Sequence, residues 1–153
     1  MARAIGVAGA GRGATCAEIL ATVPHWFGIA TANAEYRRVA ERSPTLIAID
    51  AGQTIGFLTV VHHSPHAAEL HVMAVRPECH RSGTGRALVA AVEDRLRTEG
   101  VEYLQVKTLS PSASDEPYLA TFAFYVALGF RVLEELPLLW DAENSAVVLV
   151  KHL

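Results

Sequence analysis

The chain has 153 residues, of which 51% are hydrophobic and 19% charged, and its formal net charge is −3. An apolar fraction this high excludes an intrinsically disordered protein, and polar or charged breaks in every stretch of 18 residues exclude a transmembrane helix. The slight excess of acidic over basic residues argues against a module that binds nucleic acid through a basic surface. The length suits one ordinary domain, so we expect residues 1–153 to form a single domain.

The N-terminal half predicts two helices followed by an antiparallel meander. Apolar residues at helical spacing indicate helices over Ala14–Leu20 and Thr31–Arg42. Runs of β-type residues then predict strands over Thr45–Asp50, Thr54–His62 and Glu69–Val75. Ala51-Gly52-Gln53 is the predicted hairpin turn. A first strand over Arg3–Val7 is left open, and the glycine-rich segment 9–13 is interpreted as a flexible start instead of a phosphate loop.

The C-terminal half alternates helices and strands. We predict a helix from about Ser82 to Glu99, a strand over Val101–Thr108, a polar loop, a helix over Pro117–Leu128, and a strand pair at Arg131–Leu139 and Ala146–Leu153. On the second helix the predicted buried face comprises Leu119, Phe122, Ala123 and Val126. The whole order of elements is typical of a mixed α/β fold.

The two cysteines and a histidine cluster carry little functional signal. Cys16 and Cys79 lie far apart without a metal-ligand spacing, which favours a reducing, cytoplasmic location, and no segment resembles a signal peptide. His62, His63 and His66 straddle a turn instead of sharing one helix face, so we predict no metal site there.

The most informative segment runs from Glu69 to Val89, where a predicted strand leads into a glycine turn that opens a helix. Gly83 and Gly85 lack a Cβ, so the backbone N–H groups there can approach a ligand closely. A helix N-terminus adds unpaired N–H donors and the positive end of a dipole, which suits a phosphate or pyrophosphate. The alternative is a tight strand-to-helix connection in which the glycines serve packing alone.

Two motifs resemble the GNAT superfamily of N-acetyltransferases. His80-Arg81-Ser82-Gly83-Thr84-Gly85 is similar to the family's Gln/Arg-x-x-Gly-x-Gly/Ala loop, with His80 at the position where Gln or Arg is usual. The segment from Phe124 to Phe130 is similar to the family's F-Y-x-x-x-G-F segment. The resemblance implies a GNAT fold: a mixed, mostly antiparallel central sheet flanked by helices on both faces.

The resemblance also implies the cofactor and its binding residues. GNAT enzymes transfer an acetyl group from acetyl-CoA to an amine. The backbone at the end of the third predicted strand would pair with the pantetheine arm, and the loop after it would hold the pyrophosphate. The expected cofactor-binding residues are Met73, Ala74, Val75, His80, Arg81, Ser82, Gly83, Thr84, Gly85 and Arg86.

Two catalytic residues follow from the same resemblance. An amine must lose a proton before it attacks a thioester, so a base has to accept that proton, directly or through water. Glu69 is the expected base, because some family members carry a catalytic Glu at its position; the alternative is a solvent-facing strand residue. Tyr125 matches the family's general acid, which protonates the leaving thiolate; the alternative is an aromatic residue of the core.

The acceptor is expected to be a primary amine of a small molecule or peptide. Its candidate contacts are Trp26, Phe27, His71 and Thr108. We expect no nucleic acid or membrane partner, whereas a homodimer is implied because family members are often dimers. The rival hypothesis is a catalytically silent acyl-CoA-binding sensor on the same fold, which the departure at His80 favours. A toxin that acetylates aminoacyl-tRNA would need a basic face, which the charge of −3 argues against.

Overall fold

The computed structural model describes residues 3–153, which fall into two compact units. Of the described residues, the first unit comprises 3–61 together with Leu70–Glu99, and the second comprises His62–Glu69 and Gly100–Leu153. The elements are β1 (Arg3–Ala8), α1 (Gly13–Leu20), α2 (Ala30–Arg42), β2 (Thr45–Asp50), β3 (Gln53–Ser64), β4 (Ala67–Val75), α3 (Thr84–Thr98), β5 (Tyr103–Leu109), α4 (Glu116–Ala127), β6 (Arg131–Asp141) and β7 (Asn144–His152). The predicted mixed α/β class is confirmed, and the first strand, which the sequence left open, is present.

None of the helices in residues 3–153 combines the length and the apolar character that crossing a membrane requires.

The strands of the first unit follow one another in the order β1, β2, β3, β4. β2 pairs antiparallel with both β1 and β3. The hairpin between β2 and β3 turns on Ala51 and Gly52, whose φ angles of 50° and 77° are both left-handed, as a type I′ turn requires. Gln53, which the prediction placed in the turn, instead begins β3 opposite Asp50.

The core of the first unit lies where α1 and α2 cover the strands. It contains Cys16, Ile19, Leu20, Val23, Ala40, Ile47, Phe57, Val72 and Ala74, with Trp26, Phe27, Tyr36 and Ile49 packed against it. Burial raises the pKa of the Cys16 thiol to about 12, so this cysteine stays protonated and acts as a small core residue. Cys79 is a free thiol of intermediate exposure.

The interpretation of segment 9–13 as a flexible start is wrong. α1 begins at Gly13, whose backbone N–H donates to Glu41 Oε2 at 2.9 Å. A Cβ on Gly13 would lie 2.6 Å from that oxygen and 2.8 Å from the carbonyl oxygen of Arg37. This glycine is therefore a packing site against α2, and a carboxylate of the protein itself already accepts a hydrogen bond at this helix N-terminus.

In the second unit, β7 lies between β5 and β6 and pairs antiparallel with both. The largest fully buried side chains of this second unit are Leu104, Phe130 and Leu149. β6 is the outer strand, and ten of its eleven residues are exposed. It extends to Asp141, two residues beyond the predicted end.

The predicted buried face of α4 is wrong. Leu119 and Val126 are exposed, and Tyr125 is the buried residue of this helix. The helix is apolar around its whole circumference, so the spacing of its apolar residues did not distinguish the face that meets the core.

The predicted polar loop after β5 is ordered by its hydroxyl groups. Ser110 is buried, its N–H donates to the carbonyl oxygen of Ser145, and its hydroxyl lies 3.0 Å from that of Ser112. Ser112 and Ser145 both donate to Glu135. Hydrogen bonds from Ser110, Ser145 and Ser112 lower the pKa of the Glu135 carboxyl.

Candidate active site

Alternation along β4 divides its residues between two faces. Ala68, Leu70, Val72 and Ala74 are buried on one face. The other face carries Glu69, His71, Met73 and Val75, of which Glu69 is buried and the other three are partly exposed. The strand that the sequence singled out thus presents a carboxylate and an imidazole two residues apart on one face.

Glu69 is held by two basic side chains of the second unit. Its Oε1 accepts a hydrogen bond from Lys107 Nζ at 2.9 Å and lies 2.7 Å from His63 Nε2. The carboxylate is 8% exposed, Lys107 is 28% exposed and His63 is 42% exposed. A buried carboxylate needs such partners, because removing a charge from water is costly unless it is paired. The alternative of a solvent-facing Glu69 is therefore wrong.

Sequence reasoning missed both partners of Glu69. The pattern of His62, His63 and His66 does not separate their roles, yet in the structure His66 contacts a different carboxylate, Glu102, at 3.2 Å. Lys107 lies on β5, 38 residues from Glu69, and carries no local signal. The short turn between β3 and β4 was the available clue for His63, because a tight hairpin brings the residues before and after it together.

The loop between β4 and α3 belongs to the first unit and adopts left-handed backbone conformations at two positions. Arg81 has a φ of 59° and Gly83, the residue that precedes α3, has a φ of 83°. No side chain caps the N-terminus of α3 among the described residues, and its first turn contains no acidic residue. The N–H groups of this turn are therefore available to an external anion, as the glycine pattern predicted.

Two hydroxyl groups and an arginine border the same turn. Ser82 Oγ donates to the carbonyl oxygen of Cys79 and lies 3.0 Å from the hydroxyl of the buried Thr84. Arg86 is exposed one helical position after Gly85. These groups match the chemistry of a phosphate site, which needs N–H and O–H donors together with positive charge.

His80 turns its side chain back onto the strand. Its Nε2 lies 2.7 Å from the carbonyl oxygen of Val75, and its ring packs edge-to-face on Trp26 with centroids 5.7 Å apart. The imidazole thus ties the start of the loop to the end of β4. The residue at the position where the family has Gln or Arg therefore makes a contact within the protein.

Close packing shapes the end of β4. A Cβ on Gly56 would lie 3.2 Å from the carbonyl oxygen of Ala74 and 3.2 Å from Val75 Cγ2. Arg76, just after the strand, donates to the carbonyl oxygen of Thr54 at 2.9 Å and pairs with Glu18 at 3.0 Å. The guanidinium of Arg76 therefore anchors the strand end.

Tyr125 is buried in the second unit. Its ring packs edge-to-face on Phe124 and Phe130, with centroids 5.2 and 5.6 Å apart. Burial raises the pKa of its phenol well above the ordinary value, so the group keeps its proton at neutral pH. A protonated phenol is the state that a general acid requires, and the same burial fits a core aromatic.

The expected acceptor contacts lie in both units. In the first unit the Phe27 ring packs on Tyr36 at 5.8 Å, and Tyr36 packs on His71 at 5.7 Å. Trp26 meets His80 instead. Thr108, in the second unit, is buried on β5 next to Lys107. Two of the four predicted contacts, Phe27 and His71, are thus joined through one aromatic side chain.

Comparison with known proteins identifies the family. A model of the acetyltransferase (GNAT) domain matches residues 41–132. Mycothiol acetyltransferase from Salinispora tropica is 37% identical over 91 residues, which are 56% of this chain and 28% of that protein. The chain therefore spans less than a third of the length of this curated relative.

Solved structures share the fold at low sequence identity. A GNAT-family protein from Desulfovibrio desulfuricans has a TM-score of 0.85 and 17% identity, with 99% of each chain covered. A GNAT-family acetyltransferase from Elizabethkingia anophelis, solved with acetyl-CoA bound, has a TM-score of 0.74 and 16% identity over 99% of this chain and 98% of its own. Because the family model covers more than half of the chain, the protein belongs to the GNAT family of acetyltransferases.

Proposed function

We propose that this protein is an acetyl-CoA-dependent N-acetyltransferase that modifies a primary amine of a small molecule or peptide, and that residues 1–153 act as one acetyltransferase domain. The observation that carries the proposal is the uncapped N-terminus of α3 behind the left-handed Gly83. This donor set fits the pyrophosphate of acetyl-CoA, the co-substrate bound in the Elizabethkingia anophelis structure.

Acetyl-CoA supplies an activated acetyl thioester. The loop from His80 to Arg86 binds its pyrophosphate mainly through backbone N–H groups. Ser82 and Thr84 add hydroxyl donors once the Ser82 hydroxyl turns away from the carbonyl oxygen of Cys79. The backbone of Met73, Ala74 and Val75 pairs with the pantetheine arm, and an N–H in this stretch polarises the thioester carbonyl. The exposed Arg81 and Arg86 add positive charge.

Glu69 and Tyr125 move the protons. Glu69 takes a proton from the acceptor ammonium, and the neutral nitrogen then forms its bond to the acetyl carbon as the carbon–sulfur bond breaks. Tyr125 gives its proton to the departing sulfur, which leaves as the CoA thiol. One of the two protons left on the nitrogen then passes to the tyrosinate, directly or through water, which gives the neutral amide and restores the phenol. The similarity of residues 124–130 to the family's F-Y-x-x-x-G-F segment supports this assignment. Trp26, Phe27, His71 and Thr108 remain the candidate acceptor contacts.

We expect Tyr125→Phe to lower kcat by about 100-fold, because the thiolate would leave without a proton from the enzyme. The measurement is CoA release with a thiol reagent. Tyr103→Phe is the matched control, since Tyr103 is the half-exposed tyrosine of β5 and is expected to leave the rate unchanged. A full-rate Tyr125→Phe enzyme would remove the general-acid role.

The second candidate is a catalytically silent acyl-CoA sensor. The bond from His80 to the Val75 carbonyl oxygen favours it, because that side chain is engaged within the protein. Thermal stabilisation by acetyl-CoA, followed by a CoA-release assay on a polyamine, an alanine-starting peptide and deacetylated mycothiol, separates the two. Turnover of any amine supports the enzyme, whereas stabilisation without turnover of any amine supports the sensor. Failure of acetyl-CoA to stabilise the protein contradicts both.

The net charge of −3 is compatible with a cationic amine acceptor and argues against nucleic acid. We place the protein in the cytoplasm, in keeping with two free cysteines.

A homodimer is supported by the apolar surface of β6. Val132, Leu133, Leu138, Leu139 and Trp140 are all exposed, and Leu138 reaches 77%. Large exposed apolar side chains gathered on one strand favour an interaction surface, and an edge strand can pair with a second strand. We therefore assign β6 to contact with a second copy.

We expect Leu138→Glu to convert the dimer to a monomer, because it places a charge in the apolar contact. Sedimentation equilibrium at micromolar concentrations measures the change. Leu119→Glu on α4 adds the same charge to an exposed leucine outside β6 and is expected to leave the dimer intact. A monomeric native protein, or a Leu138→Glu variant that still dimerises, would contradict the assignment.

A further inference from the structure

We propose that Lys107 is a positioning residue for Glu69: its ammonium pairs with the carboxylate and fixes Oε1, so that Oε2 receives the proton of the acceptor amine. This inference rests on the proposed role of Glu69 as the base. It assigns a function to a residue that carries no motif signal and lies 38 positions away in the chain.

The geometry of the hydrogen bonds is asymmetric. Lys107 Nζ and His63 Nε2 both meet the same oxygen, Oε1, at 2.9 and 2.7 Å. Among the residues whose side chains the structure describes, none makes a hydrogen bond to Oε2. One oxygen is thus engaged by the protein, and the lone pairs of the other are free of the two described hydrogen bonds.

The two partners of Glu69 differ in charge. Lys107 comes from β5 and His63 from β3. Lysine side chains in general are cationic at neutral pH, whereas a histidine is charged only when protonated. Lys107 is also the less exposed partner, so solvent screens its attraction for the carboxylate less. Of the two groups that contact Glu69 Oε1, we therefore expect Lys107 to contribute the larger electrostatic attraction for the carboxylate.

Replacement of Lys107 tests this role through the pH dependence of the reaction. A cation beside a carboxylate favours its charged form, so in Lys107→Met the carboxylate should stay protonated to higher pH. We expect the acid limb of the kcat/KM profile to move upward by about one pH unit or more. Lys107→Arg retains the positive charge, so the acid limb of its kcat/KM profile should lie within a few tenths of a pH unit of that of the native protein. His63→Gln, which keeps a neutral N–H donor, should move it less than Lys107→Met.

A readout without turnover separates this inference from the proposed function. Carbon-13 NMR of the side-chain carboxyls, with Glu69 assigned from the Glu69→Gln spectrum, follows the titration in native protein and in Lys107→Met. An upward shift of the Glu69 titration midpoint in Lys107→Met supports the role of Lys107, even if no tested amine is acetylated. The absence of acetylation counts against the proposed function alone. An unchanged midpoint and acid limb in Lys107→Met, or an equal shift in Lys107→Arg, overturns the role. If Lys107→Met does not fold, Lys107→Gln carries the same test.

Discussion

Gly83→Glu is expected to abolish binding of acetyl-CoA. The substitution places a carboxylate beside the N-terminus of α3, where the pyrophosphate would accept hydrogen bonds from backbone N–H groups. Repulsion between like charges at close range costs several kcal/mol of binding free energy. The dissociation constant should rise by about 100-fold or more, since each factor of ten corresponds to roughly 1.4 kcal/mol. Isothermal titration calorimetry with acetyl-CoA measures the change.

Two variants separate charge from backbone strain in that experiment. Gly83 has a φ of 83°, so any side chain there is strained, and Gly83→Ala carries the strain without the charge. Gly52→Glu introduces both the backbone strain and the negative charge, but at the turn between β2 and β3. There φ is 77° and a Cβ would meet nothing within 4 Å. Both controls should bind acetyl-CoA far better than Gly83→Glu. Native affinity in Gly83→Glu would overturn the assignment of the loop.

Glu69→Gln is expected to lower kcat by about 10² to 10⁴-fold, the range that general base catalysis supplies. The amide keeps the shape of the side chain and can still accept from Lys107 and His63, but it cannot take a proton. Binding of acetyl-CoA should be unchanged, because the loss concerns proton transfer alone. Stopped-flow or steady-state CoA release on the best amine of the panel measures the effect.

Glu102→Gln is the matched control for that variant. Glu102 also pairs with a histidine, His66, at 3.2 Å, but its side chain is 54% exposed. Loss of an exposed ion pair is worth little, so its rate should match that of the native protein. A Glu69→Gln enzyme with the native rate and a native pH profile would show that water or another group accepts the proton.

The fold was largely predictable because its signals are local. The alternation of β4, the hairpin at Ala51-Gly52 and the glycine turn before α3 each depend on residues close together in sequence. The predictions for α4 and segment 9–13 failed for the opposite reason. α4 is apolar on every side, and Gly13 is required by a contact with Glu41, 28 residues away.

The candidate site divides in the same way. The sequence by itself determined the family motif, the donor-rich loop from His80 to Arg86 and the candidate roles of Glu69 and Tyr125. Tertiary structure alone decided that Glu69 is buried, and that Lys107 and His63 engage one of its oxygens. Turns and helix starts follow from the preferences of neighbouring residues. The environment of a buried charge depends instead on which distant side chains the packing of strands brings within hydrogen-bond distance.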